Sequence, residues 1–258
     1  MYDGTVDPQE YERVHFAEER HFWYRGLHAL ALAQLDRAIG SRNSSVTGIS
    51  QRPRVLDAGC GAGGFTTQVA ARAAVIGIDF SPLALGFTAR RGLTRLARAS
   101  IEAIPLADAS VDAAVSLDVL YHSAVRDDLA ALRELRRVVR PGGSILLNLP
   151  AHPWLRSSHD AMIHGARRYS KARLREMARL ADLEIVRLGY WNSTLFPALA
   201  LFRLAIRNRP AASDVSIPPA PINALLSALL RFEAWLFQWL PLTPGLSLFA
   251  VFRRPLGA

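Results

Sequence analysis

The stretch Val55-Leu56-Asp57-Ala58-Gly59-Cys60-Gly61-Ala62-Gly63-Gly64 constrains this chain more than any other. Its apolar entry, PRVLDAG over 53–59, reads as a short buried strand, and Thr66 to Arg72 reads as a helix. The glycines between them allow a tight turn and close approach of a ligand to the main chain. The same pattern recurs downstream. AVIGIDF (74–80) predicts a second strand, and Ser81-Pro82 predicts an N-cap and a helix-starting proline, with the helix running to about Arg90. A short strand is expected near 95–99 and another over VDAAVSLD (111–118). A helix is expected from Asp127 to Val139, stopping before Pro141-Gly142-Gly143, then a strand over SILLNLP (144–150). Alternating strands and helices imply a parallel sheet with right-handed crossovers, which puts the carboxyl ends of the strands, and any ligand, on one edge.

Two carboxylates sit at successive strand ends. Asp79 follows the second strand, where a carboxylate can accept both hydroxyl protons of a ribose. Gly59, Gly61 and Gly64 also satisfy the G-x-G-x-x-G dinucleotide pattern, so a nicotinamide-dependent oxidoreductase is one reading. Asp57 favours another. It stands two residues before the first glycine, where it would repel a pyrophosphate but can hold a ligand ammonium through a water or orient the loop. The small turn Cys60-Gly61-Ala62-Gly63 leaves room for an amino-acid tail.

The D-A-G-C-G-A-G run resembles motif I of the class I S-adenosylmethionine-dependent methyltransferases, and the likeness continues through most of 52–190. IEAIPLADASVDAAVSLDVLYH (101–122) is similar to the family segment carrying adenine contacts and the fourth motif; LRELRRVVRPGGSILLNLP (132–150) resembles its helix, turn and fifth strand. The resemblance implies a Rossmann-like α/β fold with a seven-stranded, mostly parallel sheet, an antiparallel last strand and a helical insertion before it. It implies S-adenosyl-L-methionine as cofactor and S-adenosyl-L-homocysteine as product; no metal is expected, because the histidines show no H-x₃-H or cysteine-partner spacing. By the same resemblance Asp57, Gly59, Cys60 and Gly61 surround the methionine end and Asp79 takes the ribose. Phe80 packs on the adenine, and the backbone of Ile101 meets its edge. Many relatives carry an acid where this chain has Ser100, so Ser100 or Glu102 is the substitute; Asp118, ending the fourth strand, joins the cofactor set. HFWYRG (21–26) fits a bacterial subgroup in which Trp23 and Tyr24 would close over the cofactor, as does Asn192-Ser193-Thr194-Leu195-Phe196-Pro197.

The parts divide as an N-terminal helical cap (1–51, helical over 8–40), a cofactor-binding core (52–191), a helical insertion or lid (192–246) and a final strand (247–258). The insertion carries amphipathic segments at 194–207 and 222–240. It leaves the sixth strand and rejoins the seventh on the ligand edge, which makes it the expected substrate lid. Transfer to a hydroxyl benefits from a base near neutral pKa. His122 leads the candidates, followed by His159 oriented by Asp160. His164, Arg167, Arg168, Tyr169 and Asn192 are candidate substrate contacts, the arginines for a carboxylate or phosphate. Expected is O-methylation of a hydrophobic or lipid-linked small molecule, with a noncatalytic cofactor-fold binding protein as a rival from another class.

Charge bears on partners. The formal net charge is +9, and Lys171 is the sole lysine among 31 basic residues, but the arginines are scattered. Together with the absence of a D-P-P-Y type motif or an RNA-binding module, this favours a basic surface over a nucleic-acid partner. The lone Cys60 excludes an internal disulfide and the first 20 residues lack a signal-peptide core, so the expectation is cytoplasmic. PINALLSALLRFEAWLFQWLPL (221–242) has leucines and tryptophans at helical spacing. It is expected to serve as a lid, a peripheral membrane contact at the inner face, or a homodimer interface through 192–242.

Overall fold

The computed structural model describes residues 8–40, 52–156, 160, 165–205, 217–240 and 244–257. Seven strands form one sheet: β1 (Arg54–Ala58), β2 (Ala74–Asp79), β3 (Leu96–Arg98), β4 (Val111–Leu117), β5 (Val139–Pro150), β6 (Glu184–Trp191) and β7 (Ser247–Arg253). Their spatial order is β3-β2-β1-β4-β5-β7-β6. β1 pairs in parallel with β2 and β4, β2 with β3 and β4 with β5, while β7 runs antiparallel to both β5 and β6. The sheet is mostly parallel with an antiparallel last strand, as the resemblance implies.

The helices are α1 (Pro8–Arg20), α2 (Phe22–Gly40), α3 (Gly64–Ala70), α4 (Pro82–Arg90), α5 (Asp128–Val138), α6 (Lys171–Leu180), α7 (Phe196–Ala205) and α8 (Ala220–Leu236). Alternate residues of each strand feed opposite faces of the sheet. Leu56 joins the cluster containing Leu132 and Leu135 of α5 and Leu174 and Met177 of α6. Its neighbour Val55 joins Leu27, Leu30 and Leu35 of α2, Phe65 and Val69 of α3, and Leu230 and Ala234 of α8. Each fully buried leucine of α2 contributes about 1.5–3 kcal/mol, so the N-terminal helices are part of the core and more than a cap.

Three expectations change. The helix read over 8–40 breaks at His21 into α1 and α2. Asn223 of α8 bridges the break: its Oδ1 accepts from Phe22 N–H at 2.9 Å and its Nδ2 donates to the Arg20 carbonyl at 2.7 Å. That buried amide satisfies groups that a helix end leaves unpaired. β5 starts at Val139, before the Pro141-Gly142-Gly143 turn, because the ladder with β4 resumes after a bulge, from Val111↔Val139 to Ala113↔Ser144. The insertion also splits in role. α7 borders the ligand edge, whereas α8 packs on α2 so closely that a Cβ on Gly26 would come 2.6 Å from Leu230 Cβ. Among the described residues no helix is long and apolar enough to cross a membrane.

Candidate active site

A crevice of about 660 Å³ opens at the carboxyl edge of the sheet, within the range of small-molecule sites. Its floor is the turn after β1. Gly59, Gly61 and Gly63 have φ of 90°, 55° and 85°, a region that L-residues other than glycine enter at a cost. Gly59 and Cys60 both donate backbone N–H bonds to the Ile78 carbonyl, at 2.8 and 2.9 Å, which ties the turn to β2. Side-chain-bearing residues also take left-handed φ at this edge: Asp118 (58°) after β4, His152 (59°) after β5 and Asn192 (56°) after β6. Backbone strain of this kind gathers where a fold holds side chains for function.

The two strand-tip aspartates face one crevice. Asp57 is buried and its Oδ2 accepts from the Thr66 hydroxyl at 2.6 Å. Burial, reinforced by the nearby Asp79 charge, pushes its carboxyl up to about 7. Asp79 Oδ2 accepts from Gly61 N–H at 3.0 Å and Oδ1 from Ser81 N–H at 2.9 Å, and burial raises it as well. Each oxygen keeps a lone pair for a ligand hydroxyl. Asp118 Oδ1 accepts from Asn148 Nδ2 at 2.9 Å, and Asn148 Oδ1 accepts from the buried Trp191 indole N–H at 2.6 Å. Burial pushes Asp118 to about 7 too, a poise from which a carboxyl can take or give a proton near neutrality.

Around this floor the crevice is lined by Trp23 and Tyr24 from α2, by Phe80, Ser100 and Ile101 beyond β2 and β3, and by Leu199, Phe202 and Arg203 from α7. Trp23 packs on Trp191 in a tilted pair with centroids 4.9 Å apart, and Phe80 packs on the His122 ring at 5.8 Å. Cys60 is buried and its thiol is pushed upward by burial and by Asp57, which keeps it protonated.

Several expected roles shift. His122 lines the crevice, but its Nδ1 accepts from Ala124 N–H at 3.1 Å, so the proton of the neutral ring sits on Nε2. In that tautomer Nε2 is a donor, and the ring's acceptor Nδ1 is engaged by Ala124. Asp160 and Arg168 also line the crevice, as a buried ion pair (Oδ1 to Nη2, 2.8 Å), with Arg168 Nη1 donating to the Ala151 carbonyl. Asp160 therefore neutralises an arginine. Glu102 turns away from the crevice because its carboxylate accepts from the backbone N–H of Arg126 and Asp127. Arg167 donates to the carbonyls of Leu120, His122 and Arg126, and the buried Tyr169 hydroxyl donates to Leu120. Both are spent on holding the chain after β4. His159 and His164 lie outside the described residues. Asn192 is buried at the crevice wall, and among the described residues its Oδ1 has no hydrogen-bond partner. Among the described residues no group of three His, Cys, Asp or Glu is arranged to hold a metal.

Sequence reasoning missed Glu18, Asn148 and Trp191. Glu18 of α1 is buried, its Oε2 accepts from Gly64 N–H at 2.8 Å, and burial pushes it up to about 7. Its partner lies 46 residues away, and no local spacing announces such a pairing.

Comparison with known proteins agrees with this geometry. Residues 56–147 match the family model described as a methyltransferase domain. The chain is 28% identical over 173 residues to a Mycolicibacterium smegmatis protein named "Probable S-adenosylmethionine-dependent methyltransferase", covering 65% of this chain and 61% of that one. It is 35% identical over 133 residues to a malonyl-[acyl-carrier protein] O-methyltransferase of Serratia marcescens, covering 51% of each. The chain thus spans about half to three fifths of the length of these relatives. A solved S-adenosylmethionine-dependent methyltransferase of Thermotoga maritima superposes with a TM-score of 0.57 at 17% identity, covering 95% of both chains, a likeness of fold.

Proposed function

We propose that this chain, whose residues 56–147 are a methyltransferase domain of the class I S-adenosylmethionine-dependent family, methylates a hydroxyl of a hydrophobic small molecule. The observation that carries the reading is the single crevice in which the glycine turn, Asp57 and Asp79 meet. The residues fit the cofactor: Asp79 offers a lone pair on each oxygen to a ribose, and buried Asp57 suits the ammonium of an amino-acid tail. S-adenosylmethionine supplies an electrophilic methyl on a sulfonium. The protein's task is then to align a nucleophile and exclude water. Trp23, Tyr24, Leu199, Phe202 and Leu246 line the same crevice, an apolar wall that suits an apolar acceptor. Arg168, already neutralised by Asp160, offers little to an anionic one. The unpartnered Asn192 Oδ1 offers an acceptor to a substrate hydroxyl. A nicotinamide dinucleotide fits less well, because Asp57 would face its pyrophosphate.

Calorimetry tests this. S-adenosylhomocysteine is expected to bind with micromolar affinity, and NAD(P) not at all. Tight NAD(P) binding without S-adenosylhomocysteine binding would reverse the assignment.

The acceptor's supply bears on α8. Ile222, Leu225, Phe232, Trp235, Trp239 and Leu240 are each more than half exposed, with Arg231 exposed among them. Such a stripe of aromatics beside a cation suits an anionic lipid surface, and the proposal includes peripheral attachment there. The protein is expected to co-sediment with phosphatidylglycerol vesicles and to lose this on Trp235→Ser/Trp239→Ser. Equal pelleting with and without vesicles, or a dimer in light scattering that the double substitution dissolves, would remove the membrane part.

A further inference from the structure

Resting on the cofactor reading above, we infer that Glu18 of α1 binds the ammonium of the cofactor's amino-acid tail, so that α1 acts as a strap across the glycine turn. Glu18 is 8% exposed and borders the same crevice as Asp57. Its carboxylate lies over the turn. A Cβ on Gly64 would come 2.5 Å from Oε2, and one on Gly61 would come 3.7 Å from Oε1. Oε2 is engaged by Gly64 N–H. Among the described residues Oε1 accepts no hydrogen bond.

The charge balance is the second argument. Glu18 and Asp57 are close enough for the charge on Asp57 to bear on Glu18. Among the described residues the cation beside Glu18 is Arg91, at 3.7 Å from Oε2. Arg91 is committed elsewhere: its Nε donates to the Ala62 carbonyl, Nη1 pairs with Glu19 and Nη2 donates to the His15 carbonyl. Two buried carboxylates therefore front one stretch of crevice with little compensation, and a buried charge is tolerated only when paired. A ligand ammonium brings one positive charge and three donors. A ligand carboxylate would be repelled.

The test uses the full chain and two nucleosides, S-adenosylhomocysteine and 5′-methylthioadenosine, which lacks the amino-acid tail. Glu18→Gln keeps an acceptor for Gly64 N–H and removes the charge. Titrated at about pH 8, above the values of about 7 to which burial raises the two acids, it is expected to bind S-adenosylhomocysteine about tenfold or more weakly, the loss of a charge-assisted bond. Binding of 5′-methylthioadenosine should change by less than about threefold. Equal loss for both nucleosides marks Glu18 as structural and overturns the inference, as does unchanged S-adenosylhomocysteine binding. Wild-type protein supplies a check independent of folding: the desamino analogue of S-adenosylhomocysteine should bind about tenfold more weakly than the parent, and equal binding refutes the role. Binding of neither nucleoside by wild type would overturn the cofactor reading itself.

Discussion

Asp79→Asn is expected to weaken S-adenosylhomocysteine binding about 100-fold or more, because the substitution fails twice at one place. The carboxylate now accepts Gly61 N–H and Ser81 N–H, one on each oxygen, and has a lone pair per oxygen left for a vicinal diol. An amide has one acceptor. Its NH₂ end would face one of those backbone donors, so either the turn or the start of α4 loses a bond. The ribose loses a charge-assisted partner as well, worth about 1.5–3 kcal/mol. Calorimetry with the ligand, beside circular dichroism to confirm the fold, measures the effect. An affinity within about threefold of wild type would mean that Asp79 serves as a turn bracket alone.

Gly59→Ala should cost both stability and ligand binding. The residue sits at φ 90°, and an added Cβ would lie 2.2 Å from Val119 Cγ2. The backbone conformation alone costs about 1–2 kcal/mol for an L-residue, and the overlap adds about 1–3 kcal/mol. For a chain of this size the sum lowers the melting temperature by about 5–15 °C. Gly59→Ala/Val119→Ala separates the two causes: it removes the overlap, keeps the strained φ, and should recover part of the loss. A single variant that melts like wild type would show that the turn tolerates a side chain, and the cradle argument would fail with it.

Much of the fold was legible because it is written locally. The glycine turn, the Ser81-Pro82 helix start and the repeating strands located β1 to β4 closely, and β5 except for its start at Val139. Ser81 caps α4, as its spacing implies, with its hydroxyl accepting from Ala84 N–H at 3.4 Å. Where boundaries moved, a distant partner moved them: Asn223 sits about 200 residues from the α1–α2 break it bridges.

The site was legible in part. Asp57, Asp79, Ser100, Ile101 and Asp118 could be placed on the crevice because strand ends in a parallel sheet share an edge. The roles of the loop residues could not be read. Arg167, Arg168 and Tyr169 look like substrate contacts in sequence, yet hydrogen bonds to Leu120, Ala151 and Asp160 occupy them. His122 has the right residue type in the right place, and its Nδ1 is engaged by the backbone N–H of Ala124, a contact that residue type and spacing do not announce.

What the sequence determined alone is the βαβ frame and the positions of its two strand-tip acids, since hydrophobic period, glycine and proline act within a few residues of one another. Only the tertiary structure decided which polar groups remain available to a ligand. Availability depends on what each group already bonds, and those partners, such as Gly64 for Glu18 and Asn148 for Asp118, arrive from remote parts of the chain.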